Sequence, residues 1–154
     1  MCYMVSWQIN KEAFTDDFVN ICRKYKFSPK HNPPFSKIEN VLENSISSSE
    51  VVSFNFMGNN HCECDTPLGR GTSVKRRGIT DDINDYLSLL NELQNCSKIK
   101  YITIFKRFYN GDFYKVLKQK FEIEIIHISE VDIEFLTNIE DDLIYKILYY
   151  KKWD

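Results

Sequence analysis

KYITIFK, residues 100–106, is the stretch on which the fold turns. Tyr101 to Phe105 are β-branched or aromatic without a break, the composition of a strand that packs on its neighbours. Working back from it, Ile83, Tyr86, Leu87, Leu90 and Leu93 recur at helical spacing. They predict a helix that begins at Thr80 and carries Asp81 and Asp82 in its first turn, where the helix dipole favours acids. Working forward, Asn110-Gly111 is a turn signal, and Phe113, Val116, Leu117 and Phe121 fit a short helix. Residues 122–128 (EIEIIHI) alternate as a strand, and 129–140 have room for a helical turn or two. The tail, ILYYKKW, leans towards a strand, although Leu143, Ile144, Ile147 and Leu148 also fit a helix.

The N-terminal half has the same rhythm. Residues 2–9 (CYMVSWQI) read as a strand buried on both faces. Phe14, Phe18, Ile21, Cys22 and Tyr25 form the stripe of an amphipathic helix over 11–26, which the prolines of FSPKHNPPF end. Ser36 and Glu39 suit a capping box for a second short helix, with Ile38, Val41, Leu42 and Ile46 inward. Residues 51–57 (VVSFNFM) then read as a strand. Helices alternating with strands predict one α/β or α+β domain over 1–154. Its sheet is mixed and partly parallel, of about four to five strands, flanked by helices. The expected core is Phe14, Phe18, Ile21, Phe54, Phe56, Leu87, Leu90, Ile102, Ile104 and Ile125.

Composition narrows the class. The 154 residues are 43% hydrophobic and 27% charged, within the globular range, and too few for two comfortable cores. The formal charge of −2 argues against a nucleic-acid partner. No apolar run reaches the roughly 18–20 residues that span a bilayer, so no membrane partner is expected. Five cysteines at irregular spacing, with no export signal at the N-terminus, predict a cytoplasmic protein with reduced thiols. Cys22 and Cys96 fall on or beside apolar stripes and read as small buried hydrophobes. Cys2 would become an N-terminal nucleophile if Met1 were removed, but Tyr3, Met4 and Val5 continue it as a plain strand.

The segment GNNHCECDTPLGRGTSVKRRGI, residues 58–79, concentrates what is unusual. It holds four of the five glycines, two of the five cysteines and three of the five arginines. A loop of that length inside a compact domain is uncommon and often functional. It leaves a strand and enters a helix, and helix N-termini and glycines suit a bound anion. Arg70, Lys75, Arg76 and Arg77 supply the charge. The leading expectation is a binding or regulatory protein in which Asn59, Asn60, His61, Thr66, Arg70, Thr72 and Ser73 contact an anionic ligand or a protein partner.

Cys64-Asp65-Thr66-Pro67-Leu68-Gly69-Arg70 has the spacing C-x5-R and resembles the signature of cysteine-dependent phosphatases. The resemblance covers seven residues and implies a catalytic pair, Cys64 as nucleophile and Arg70 as clamp on the phosphoryl oxygens. Two departures stand against it. Pro67 removes an N–H from the anion cradle, and Gly71 stands where that family has Ser or Thr. His61, Cys62 and Cys64 are soft ligands without a local fourth, so no metal and no cofactor is expected. His127-Ile128-Ser129 is similar to one H-x-[ST] element of two-histidine phosphoesterases, a class that needs two, and a strand-end histidine is the simpler reading. Glu130, Asp132, Glu134, Glu140, Asp141 and Asp142 read as a solvated acidic face, with a protein-binding patch as the other possibility.

Overall fold

The computed structural model describes residues 2–30, 51–56, 66–69, 73–76, 79–109 and 121–149. Strand β1 (Cys2–Asn10) leads into a 3-10 turn, Lys11–Ala13, and helix α1 (Asp16–Lys24). Strands β2 (Pro29–Lys30), β3 (Val51–Phe56), β4 (Ser73–Arg76) and β5 (Ile79–Asp82) follow. Helix α2 (Ile83–Glu92), a 3-10 turn at Leu93–Asn95 and strand β6 (Tyr101–Tyr109) come next. Strand β7 (Ile123–His127), helix α3 (Ile133–Thr137) and strand β8 (Ile144–Leu148) complete the described chain. Six strands form one sheet in the order β2-β3-β1-β6-β8-β7, and β4 and β5 form a separate hairpin. The expected mixed α+β architecture holds, with a sheet one strand wider than expected.

The two longest strands, β1 and β6, lie at its centre and pair antiparallel, Trp7 opposite Ile104 and Ile9 opposite Ile102. Side chains alternate between faces along each strand. Val5, Trp7 and Ile9 of β1, Ile102 and Ile104 of β6, Phe54 and Phe56 of β3, and Tyr145 and Ile147 of β8 therefore share one face. Helices α1 and α2 cover it with Phe18, Cys22, Ile83, Tyr86, Leu89 and Leu90 in one apolar cluster. The other face is also buried but mixed in character. Ser6, Gln8, Ser53 and Thr103 lie beside Met4, Phe105 and Ile144, and Gln8 Nε2 donates to Ser53 Oγ at 2.9 Å. Among the described residues, parallel pairing is confined to β7 and β8, and every other ladder is antiparallel. The connection from β7 to β8 carries α3 and is long enough to make that crossover.

Helix α1 has acids in its first turn (Asp16, Asp17) and bases in its last (Arg23, Lys24), matching its dipole. It ends in a Schellman turn. Lys26 takes the left-handed conformation (φ 67°), and Phe27 N–H and Lys26 N–H donate to Cys22 O and Arg23 O.

Three expectations need correction. Thr80, Asp81 and Asp82 do not open a helix; they belong to β5, opposite Lys75, Val74 and Ser73, and α2 starts at Ile83. Pairing in the hairpin satisfies backbone groups that a helix start would leave open. The 58–79 segment is accordingly interrupted by strand β4 and enters a strand, so it does not lead straight into a helix N-terminus. Ile125 is not core: it is 62% exposed, because β7 is the sheet's edge and this residue points away from the helices. Phe18, Phe54, Phe56, Leu90, Ile102 and Ile104 are buried as expected, and Phe14, Ile21 and Leu87 pack against them half-buried. Phe121 is buried but lies outside any helix. The expected helix at 36–46, the Asn110-Gly111 turn, and Phe113, Val116 and Leu117 of the expected short helix lie outside the described residues.

Candidate functional site

Four consecutive residues of the 58–79 segment, Thr66 to Gly69, sit against the sheet. Thr66, Pro67 and Leu68 are buried, and Leu68 belongs to the same apolar cluster as Trp7 and Ile104. Gly69 N–H donates to Leu136 O of α3 at 2.8 Å. Gly69 has φ 76°, and a Cβ there would run into Ile139 O and Lys106 Nζ. Glycine is required at this one position on both counts.

Lys106 holds the other side of this piece. It lies on β6 at the inward position after Ile102 and Ile104, and it is only 3% exposed. Its ammonium donates to Leu68 O at 3.0 Å, pairs with Asp141 Oδ1 at 3.1 Å and stands 5.1 Å from the centre of the Tyr3 ring. A buried charge needs such a set of partners. Asp142, in the left-handed conformation (φ 62°), returns its N–H to Lys106 O. One lysine thus ties the 66–69 piece and the turn before β8 to the central strand.

This geometry bears on the C-x5-R pattern. A phosphatase cradle aims its backbone N–H groups at one anion. Here Pro67 has none, Leu68 N–H turns to Thr66 Oγ1 at 3.4 Å, and Gly69 N–H is engaged by Leu136 O. The carbonyl of Leu68 points at a cation rather than away from a phosphate.

Among the expected site residues, Thr66 is placed within this buried piece, and Ser73 opens β4 opposite Asp82. Asn59, Asn60, His61, Cys64, Arg70 and Thr72 lie outside the described residues, as does Cys62. His127 ends β7 and caps the 3-10 turn Ile128–Glu130: its Nδ1 accepts from Ser129 N–H, and Glu130 accepts from His127 N–H. Cys22 and Cys96 are free and buried, and burial pushes the Cys22 thiol up to about 12. Neither is a nucleophile at neutral pH. Among the described residues no group of three or more His, Cys, Asp or Glu side chains is placed to hold a metal ion. No helix among them is long and apolar enough to cross a membrane.

Lys106 is the residue that sequence reading missed. Its signal was present: a lysine continuing the inward alternation Ile102, Ile104 must meet an internal partner. No protein-family model, curated protein or solved structure matches the chain.

Proposed function

We propose that the protein acts by binding, as a small cytoplasmic regulatory protein whose 58–79 segment holds an anionic ligand or a protein partner. The observation that carries this reading is the anchoring of 66–69. Leu68 in the core, the Gly69–Leu136 hydrogen bond and the Lys106 grip give the segment a fixed base. Arg70 follows that base directly in sequence. An arginine beside a rigid anchor loses less freedom on binding than one on a free loop. Its planar fork suits a carboxylate or phosphate. The cytoplasmic part rests on the free, buried Cys22 and Cys96 and on the odd cysteine count. The formal charge of −2 argues against nucleic acid as the partner.

The phosphatase alternative, with Cys64 as nucleophile and Arg70 as clamp, draws support from spacing alone. The inward engagement of Leu68 and Gly69 N–H groups weighs against it.

Titration with inorganic phosphate and vanadate, followed by calorimetry, tests the binding reading. Arg70→Ala is expected to weaken anion binding about tenfold or more, the value of a hydrogen bond to a charged group. Its urea midpoint should stay unchanged. Equal affinity in the wild type and Arg70→Ala would remove Arg70 from the site. Rapid alkylation of Cys64 at neutral pH, blocked by vanadate, would favour the phosphatase instead.

A further inference from the structure

Strand β7 ends the six-stranded sheet, and among the described residues no strand pairs with its outer side. Its register with β8 separates its two faces. Glu124 lies opposite Tyr145 and Ile126 opposite Ile147, on the side of the helices. Ile123 lies opposite Ile144 and Ile125 opposite Lys146, on the other side. Ile123 and Ile125 are 37% and 62% exposed, two of the few large apolar side chains that the described surface leaves in water. Lys146 does not shield Ile125; its ammonium turns to the Tyr101 ring, 4.3 Å from the centroid.

The helix side of the same edge is acidic. A depression of about 410 Å³ is lined by Glu124, Asp132, Glu134 and Glu140 around the Phe135 and Tyr145 rings. The two rings meet edge to face at 5.4 Å. None of the residues that line it is basic. Among the described residues, Lys106 pairs with Asp141 and Arg107 with Asp142, next in sequence to Glu140. Burial raises the Tyr145 hydroxyl and the Glu140 and Glu124 charges add to this, while the Glu140 N–H that it accepts at 2.8 Å opposes them.

From the open edge, the two bare isoleucines and the four carboxylates together, we infer that β7 is a docking edge for an extended peptide of alternating basic and apolar residues, contributed by a partner protein. An added strand takes the alternation of the strand it pairs with. Its apolar residues lie over Ile123 and Ile125, and its lysines or arginines enter the acidic depression beside Glu124. Charge complementarity decides the occupant. A second copy of this chain would bring two acidic depressions together, which like-charge repulsion opposes. This surface lies on α3, β7 and β8 and goes beyond the 58–79 reading; neither depends on the other.

The test is fluorescence anisotropy with three labelled peptides: alternating lysine and valine, the same residues in two blocks, and alternating glutamate and valine. The alternating basic peptide is expected to bind, the other two to bind at least about tenfold more weakly, and N-methylation of every second residue to abolish binding. The double variant Glu124→Lys/Glu134→Lys and the single variant Ile125→Ser should each weaken it about fivefold to tenfold. These positions are exposed, and circular dichroism checks that each variant is folded. Arg70→Ala should leave peptide binding unchanged, so failure here and failure of the anion site are separate results. Equal binding of the blocked peptide, or binding that survives N-methylation, would overturn strand addition. So would no binding at all, or a wild-type dimer in sedimentation that Ile125→Ser dissociates.

Discussion

Gly69 shows how one residue ties a loop to a fold. Its positive φ, its N–H bond to Leu136 O and the closeness of the Ile139 carbonyl leave no room for a side chain. Gly69→Ala is expected to cost about 2–3 kcal/mol in urea unfolding, from left-handed strain and displacement of the anchor. A loss below about 0.5 kcal/mol would mean that the 66–69 piece is not held as described. Cys22 gives a pH effect whose sign follows from burial. Its thiol rises from an ordinary 9.0 to about 12 in the folded protein. Below about pH 9 the thiol is neutral in both states and contributes nothing. Above that, the unfolded chain ionises first, so stability falls as pH rises towards 12, by about 1.4 kcal/mol per unit. Tyr149, half-buried with its hydroxyl donating to Leu90 O and likewise raised, adds to the fall at higher pH. Urea midpoints across the alkaline range should therefore decline less steeply in Cys22→Ala than in the wild type. Parallel slopes would show that the thiol is not buried as described.

At the scale of elements, position in the sheet decides what an apolar side chain is worth. Ile104 and Ile125 have the same side chain, and both lie on strands. Ile104 is on central β6, walled by β1 and β8 and covered by α2, with no exposure. Ile104→Ala should cost about 2–5 kcal/mol, as for a cavity in a close-packed core. Ile125→Ser, on the edge, should change stability by less than about 0.5 kcal/mol. A large loss for Ile125→Ser in chemical denaturation would contradict its exposure. The strand β5 makes a related point about charge. Asp81 and Asp82 suit a helix N-terminus in isolation, yet pairing with Val74 and Ser73 claims them for a hairpin. Local preference of a few tenths of a kcal/mol yields to a set of backbone hydrogen bonds.

For the molecule as a whole, the order of strands predicts an order of opening. Amide hydrogens of β1 and β6, paired on both sides, should exchange slowest, near the limit set by global unfolding. Those of β7 and the two-residue β2 should exchange first. Mass-spectrometric exchange by segment checks this; slow exchange throughout β7 would mean that its outer edge is covered in solution. The sequence by itself determined that strands lie at about 2–9, 51–57 and 100–106, though β6 runs on to Tyr109, and it determined the helices carrying Phe18 and Leu90 and the buried Cys22 and Cys96. Each rests on a side-chain period that one segment carries alone. Only the tertiary structure decided that β7 lies at the edge, that β4 pairs with β5, and that Lys106 reaches Leu68 and Asp141. Those facts depend on which distant segments meet, and Leu68 and Lys106 stand thirty-eight residues apart. A period reports which side of a strand is apolar, but not which neighbour, or none, lies against it.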